Sequence, residues 1–362
     1  MNMTPTEFGI VGAGWRAEFF LRIAAATPNW FRVTGLVRGT SSHAEEVGER
    51  FGVPVFASVK QLIDATRPSF VITSVPRDVN PALIRQIVDL NTAVLSETPP
   101  APTVEGLNEL WKDVGGAQVQ VAEQYIFQPH HAARLNLVAT GKLGRVSQAQ
   151  VSVAHGYHGV SLIRHFLGVT FEDATVETRR FQSPLVEGPG RYGGPTHEAV
   201  KTSSQDITIF DFGDRLGIFD FTGDQYFSWV RGQRLLVRGE RGEIIDLHAS
   251  YLRDFKTPIH LSFVRHETGA NGNLEGKYLK GIQAGEEWLY ENPLAPATLS
   301  DDEIAVGTSL LKMARYVETG EPFYPLAEAC QDTYLALVAL DALEQGRRLT
   351  TTRQSWCDAI PV

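Results

Sequence analysis

The residues Phe8-Gly9-Ile10-Val11-Gly12-Ala13-Gly14-Trp15-Arg16-Ala17 set an apolar strand, a G-x-G-x-x-A turn and a helix start in direct succession. That order suits the pyrophosphate of a dinucleotide. Gly12 permits the tight turn, Gly14 lets the backbone approach a phosphate without a Cβ, and Ala17 keeps the helix close to the sheet. Free N–H groups at the helix start, from Ala13 through Trp15 and Arg16, then face the anion. The next strand, Val33-Thr34-Gly35-Leu36-Val37, ends in Arg38, and Thr40, Ser41 and Ser42 follow. An acidic residue at this point would take a ribose 2′-hydroxyl, whereas a guanidinium beside hydroxyls suits a 2′-phosphate. The pattern favours NADP over NAD, with NAD still open.

Other chemistry is poorly supplied. His130, His131, His155 and His158 offer nitrogen ligands, but Asp and Glu partners at ligand spacing are missing, so no metal site is expected. A Ser nucleophile is equally unexpected, because the chain has no G-x-S-x-G elbow. Cys330 and Cys357 lack C-x-x-C spacing, and Cys330 falls in the apolar helical stretch Leu326 to Leu343, which reads as a packed free thiol.

The elements around the glycine turn alternate. Strand-like runs at 7–11, 31–38, 69–75, 92–96 and 118–122 are separated by segments of helical period, the mark of a doubly wound parallel sheet. In that layout Ser74 and Pro76, after the buried strand Val71-Ile72-Thr73, lie where the chain passes the cofactor's ribose and nicotinamide. After about residue 125 the pattern turns to β segments at 146–156, 171–182, 200–212, 215–223, 228–239 and 258–265. The expected fold is therefore α/β plus α+β, with an N-terminal Rossmann domain (1–124) and a C-terminal domain on a large open, mostly antiparallel sheet (125–362). Ser183 to Pro195, with four glycines and three prolines, reads as a surface loop bordering a site. Helices at 301–318 and 326–346 close the chain, the first with Asp301, Asp302 and Glu303 in its opening turn.

Size and charge narrow the class. A chain of 362 residues exceeds what one core serves. A composition that is 43% hydrophobic and 21% charged, with a net charge of −9 and no basic cluster, argues against nucleic acid as a partner. No apolar run is long enough to cross a membrane. The polar start Met1 to Glu7 reads as lacking a signal peptide, which predicts a cytoplasmic protein.

Ser96-Glu97-Thr98-Pro99-Pro100 makes a more specific likeness visible. The chain resembles the glucose-fructose oxidoreductase, inositol dehydrogenase and MocA family across nearly its whole length. That family carries Glu-Lys-Pro at this point, and its preceding turn carries a Pro and then a His; here Pro76 is kept and Asn80 stands near the His. Val121-Ala122-Glu123-Gln124-Tyr125 through Pro129 resembles the hinge between domains. Gly141 to Val146, Arg238-Gly239-Glu240-Arg241-Gly242-Glu243-Ile244 and Glu318 to Pro322 resemble later landmarks in the same order.

The resemblance implies hydride transfer between a nicotinamide and a hydroxyl-bearing carbon of a sugar-like or polyol substrate. It also implies three groups for the proton: the Lys of Glu-Lys-Pro, and an Asp and a His one turn apart. In Val153-Ala154-His155-Gly156-Tyr157-His158 the His matches His158, Ala154 falls at the Asp, and Thr98 replaces the Lys. The expected cofactor contacts are Gly12, Ala13, Gly14, Trp15, Arg16, Arg38, Ser41, Ser42, Ser74, Pro76, Glu97 and Thr98. The expected proton-transfer groups are His158, Tyr157 and Thr98, with His155, Tyr125 and Tyr226 as weaker candidates. Two losses of three keep a second class open, a catalytically degenerate dinucleotide-binding sensor or regulator. The family likeness implies a homodimer or homotetramer, and Ile207, Ile209, Phe219, Phe221 and Phe227 read as sheet faces that need cover.

Overall fold

The computed structural model describes residues 4–38, 43–269 and 276–358. Its first half alternates as the sequence pattern requires: β1 (Thr6–Val11), α1 (Trp15–Ala26), β2 (Phe31–Val37), α2 (His43–Phe51), β3 (Val55–Phe56), α3 (Val59–Thr66), β4 (Phe70–Thr73), α4 (Asn80–Asp89), β5 (Ala93–Ser96), α5 (Val104–Val114) and β6 (Val119–Val121). Apolar runs such as Phe70-Val71-Ile72 are buried on both faces, as a helix-covered parallel sheet demands. The strands are all parallel, in the order β3-β2-β1-β4-β5-β6. The chain winds one way from β1 and the other from β4, so the crevice between their carboxyl ends is the natural ligand position.

The second half holds α6 (Pro129–Ala139), β7 (Val146–Ser152), α7 (Gly156–Leu167), β8 (Thr175–Val186), β9 (Val200–Asp211), β10 (Leu216–Phe219), β11 (Arg234–Gly239), β12 (Gly242–Ile245), β13 (His248–Asp254), β14 (Thr257–Thr268), β15 (Tyr278–Ala284) and β16 (Glu287–Glu291). α8 (Asp301–Thr319), α9 (Leu326–Gln345) and β17 (Leu349–Thr350) complete it. An 11-stranded sheet runs β16-β15-β14-β13-β12-β11-β7-β10-β9-β8-β17, with β7 and β10 paired in parallel and the other neighbours antiparallel. α6, α7 and α9 pack on this sheet.

Three local readings change. β8 runs on to Val186, so the loop expected from Ser183 starts four residues later, and Ser183 and Pro184 are paired with β9. β3, β13, β15, β16 and β17 lie beyond the expected set of strands, β3 and β17 because two residues show no pattern, the others because their polarity is mixed. Phe221 is buried, and Phe219 packs over Gly159 of α7, so these two are covered within the chain, whereas Ile207 and Ile209 point from the other face and are exposed.

Two connections matter for the site. α8 starts on a capping box, Ser300 with Glu303, and lays Val306, Leu310 and Met313 into the core formed by Phe8, Ile10, Phe20 and Ile23. Arg22 of α1 donates to Glu303 at 3.0 Å. α7 and α9 are joined by Arg164, 1% exposed, which bonds Asp332 and Glu328 at 2.6 Å each; the Tyr324 hydroxyl donates to the other Asp332 oxygen. Among the described residues no helix is long and apolar enough to cross a membrane.

Candidate active site

The glycine turn is built as its sequence demands. Gly12 sits at φ +110°, and a Cβ there would come within 2.0 Å of the Ser74 carbonyl oxygen, so the turn after β1 and the turn after β4 can pass only over glycine. At Gly14 an added Cβ would meet nothing within 4 Å. That open volume is where a pyrophosphate would approach the backbone ahead of α1, so the residues present fit a dinucleotide.

From this turn a cleft of about 660 Å³ runs past Trp15, Arg16, His43, Ser74, Val75 and Pro76 to Glu97, Thr98, His155, Tyr157 and His158. The volume lies in the range of small-molecule sites. The structure thus brings Gly12, Ala13, Gly14, Trp15, Arg16, Ser74, Pro76, Glu97 and Thr98 into one cleft with Tyr157 and His158. Arg38 is outside its lining; its Nη1 donates to Glu45 of α2 at 3.2 Å, both side chains being about half exposed. Ser41 and Ser42 lie outside the described residues.

The loop following β8 also reaches this cleft. Arg191 places its guanidinium 4.3 Å from the indole of Trp15, a cation–π contact across the two domains.

At the far end His158 is 3% exposed, with Tyr125 and Tyr157 ring centroids 4.6 and 4.5 Å from its own. Its carboxylate partner is Glu123, in the link after β6: Nδ1 and Oε2 are 2.5 Å apart. Sequence reasoning placed Glu123 in the hinge and no further. The lost Asp at Ala154 gave the available clue, since a buried imidazole without its expected carboxylate must find another. Ala154 is fully buried, and the carboxylate at His158 Nδ1 is instead that of Glu123, 35 residues before His158.

Burial dominates the electrostatics. It pushes Glu123 up to about 8, against the pull of the Tyr125 N–H and of Arg16. Burial, then the Arg16 cation, holds His158 well below the usual imidazole value. Both shifts disfavour charge, so the Glu123 carboxyl and the His158 ring are both neutral, the carboxyl proton lying toward Nδ1 and the ring's own proton on Nε2. The other ring nitrogen, Nε2, has no protein partner among the described residues.

Neighbouring groups are orienting ones. The Tyr157 hydroxyl donates to the Thr98 carbonyl at 3.3 Å, and burial raises it to about 12. The Tyr226 hydroxyl lies 2.6 Å from His155 Nδ1 and accepts from the His155 N–H at 3.1 Å. Crowding by protein, then His158 and Arg16, lowers the His155 pKa and leaves its ring neutral. Tyr125 is buried, and that burial raises its hydroxyl out of reach of proton chemistry near neutral pH. Asn80 is structural: its Nδ2 donates to the Ser96 Oγ at 3.0 Å and to the Glu97 and Pro99 carbonyls, holding the turn that carries Thr98. No group of metal-binding side chains occurs among the described residues.

Comparison with known proteins agrees with this geometry. Residues 6–125 match the family described as oxidoreductases with an NAD-binding Rossmann fold, GFO_IDH_MocA. The provisionally named oxidoreductase YteT of Bacillus subtilis (strain 168) is 25% identical over 145 residues, 38% of this chain and 34% of YteT, so the match spans about a third of that relative. A myo-inositol dehydrogenase from Corynebacterium glutamicum superposes with a TM-score of 0.64 at 15% identity, over 96% of this chain and 99% of that one. Levoglucosan dehydrogenase in complex with NADH gives a TM-score of 0.68 at 14% identity, over 97% and 100%. An Agrobacterium radiobacter oxidoreductase bound to NAD+, L-tartaric acid and magnesium gives 0.66 at 13% identity, over 96% and 98%. Residues 6–125 thus match the family's NAD-binding Rossmann model, and along nearly its whole length the chain shares the two-domain fold of these solved structures.

Proposed function

We propose that the protein is an NAD(P)-dependent oxidoreductase that interconverts a hydroxyl-bearing carbon and a carbonyl on a sugar-like or other polar small molecule. The observation that carries this reading is the cleft itself, which runs unbroken from the glycine turn at Gly14 to a buried His158–Glu123 pair. A nicotinamide, when bound, supplies or accepts the hydride. The chain's own residues then handle the proton. In the reducing direction His158 Nε2–H gives its proton to the substrate oxygen while Glu123 passes its own to Nδ1, leaving a carboxylate; oxidation runs the same path backwards. Tyr157, tied to the Thr98 carbonyl, walls this end of the cleft and holds Thr98 in place.

Arg38 favours NADP, since releasing it from its exposed pair with Glu45 costs little. Levoglucosan dehydrogenase binds NADH, and another solved relative, from Desulfitobacterium hafniense, is described as NADPH-dependent; the fold accommodates either. The open face carrying Ile207 and Ile209 suits pairing as a homodimer or homotetramer, which light scattering measures directly.

The test is titration with NADPH and NADH by nicotinamide fluorescence, then a polyol, sugar and sugar-acid panel read at the nicotinamide absorbance band. Expected are tighter binding of NADPH, reversed by Arg38→Ala, and turnover of at least one hydroxylated compound that falls at least 100-fold in His158→Ala. Binding without turnover across the panel favours the sensor reading, for which the neutral Thr98 speaks.

A further inference from the structure

A hydride-transfer centre needs more than a proton relay. Charge builds on the substrate oxygen before the proton arrives, and a preorganised cation there is worth about 10²–10³ in rate. Thr98 supplies none. Glu97, the residue before it, still has a cationic partner, which comes from the start of α1: Arg16 Nε lies 3.5 Å from Glu97 Oε1.

Arg16 is placed for this role by four separate contacts. Its side chain is 19% exposed and lines the same cleft as Thr98, Tyr157 and His158. Its guanidinium carbon sits 4.8 Å from the Trp15 ring and 5.3 Å from Phe19, which fixes its plane. In the orientation that satisfies both ends of Gln124, that amide donates to the Ala122 carbonyl and accepts from Arg16 Nη2 at 3.1 Å. Nη1 keeps its hydrogens for a ligand, having no protein partner among the described residues. The charge also reaches the whole cluster. It opposes the burial that raises Glu97, Glu123 and Asp302, and it helps lower His155 and His158.

We propose that Arg16 is the fixed cation of the reaction centre, offering Nη1 to the oxygen of the carbon that exchanges hydride, in the place that Thr98 leaves neutral. A guanidinium cannot take part in proton exchange at working pH, so the two tasks of a lysine are divided. Arg16 stabilises the charge; His158 and Glu123 move the proton. For oxidation, with a nicotinamide bound to take the hydride, the substrate's hydroxyl proton would pass to His158 Nε2 while Nδ1 returns its proton to the Glu123 carboxylate, and the C–O bond would become a carbonyl.

The inference rests on the oxidoreductase reading, and one arm of its test does not. Arg16→Met, Arg16→Lys and Arg16→Met with Thr98→Lys are compared with wild type. In the kinetic arm, Arg16→Met is expected to bind NADPH within about threefold of wild type while kcat falls by about 10²–10³, and Thr98→Lys added to it restores at least tenfold. Turnover within threefold of wild type, or cofactor affinity lost in step with kcat, overturns the proposal. In the second arm, nitrogen NMR of the imidazoles follows His155 and His158 against pH without substrate. Their midpoints rise in Arg16→Met and stay low in Arg16→Lys; unchanged midpoints in Arg16→Met overturn the proposal. If wild type turns over nothing in the panel, the oxidoreductase reading fails by itself, and the imidazole arm still decides whether Arg16 charges this centre. The lysine variant also separates loss of charge from loss of fold.

Discussion

At Gly12 and Gly14 one residue type does two jobs. Gly12 is required by the fold, because its Cβ would strike the Ser74 carbonyl oxygen at 2.0 Å. At Gly14 an added Cβ would meet nothing within 4 Å, so the fold does not require glycine there, and the proposed phosphate contact is what does. Gly14→Ala is therefore expected to melt within a degree or two of wild type while NADPH affinity falls at least tenfold, measured by fluorescence titration. Glu123 yields a stability signature. The folded chain keeps its proton up to about 8, whereas the unfolded chain releases it near 4.5. Its contribution is full below 4.5 and is lost as pH rises to about 8, a slope worth on the order of a few kcal/mol. The lowered His155 and His158 act with the opposite sign below about 6.5 in both proteins, so the signature is the difference in denaturant unfolding between wild type and Glu123→Gln, which should decline across that window. This residue also marks where sequence reasoning stopped. His158 is legible from its neighbours, but Glu123 lies 35 positions away, and only the fold brings it to Nδ1.

Helices and strands divide in the same way. The Rossmann elements are legible because buried parallel strands are continuous apolar runs and their helices keep a 3.6-residue period. α8 and α9 emerge within a residue of their expected ends, since Gly320 and Gly346 terminate them in left-handed conformations. β13, β15 and β16 escape notice because partly exposed strands of mixed polarity carry no clean alternation. The α7–α9 pairing is another product of tertiary structure. Arg164 is fully enclosed and depends on Asp332 and Glu328. Asp332→Ala strands its charge and is expected to cost about 3–5 kcal/mol by denaturant unfolding, whereas a milder loss is expected for Glu328→Ala, whose carboxylate is partly exposed.

At the scale of the molecule, the cofactor-side sheet is finished by residues far from it in sequence. Leu310 of α8 is fully buried against the core of β1 and α1. Leu310→Ala is expected to cost about 2–5 kcal/mol and to lower NADPH affinity as well as melting temperature, because α1 carries the phosphate cradle.

That arrangement has a consequence during synthesis. The first six strands leave the ribosome well before Val306, Leu310 and Met313 exist to cover α1. At about 5–20 residues per second, the gap between the end of β6 and α8 corresponds to roughly 10–40 s of elongation. For that interval the nascent sheet carries an apolar stripe with no native cover, the kind of surface that a trigger-type chaperone or a neighbouring nascent chain can seize. Slowing translation between the two halves would lengthen that exposure, and the yield of folded protein should fall with it.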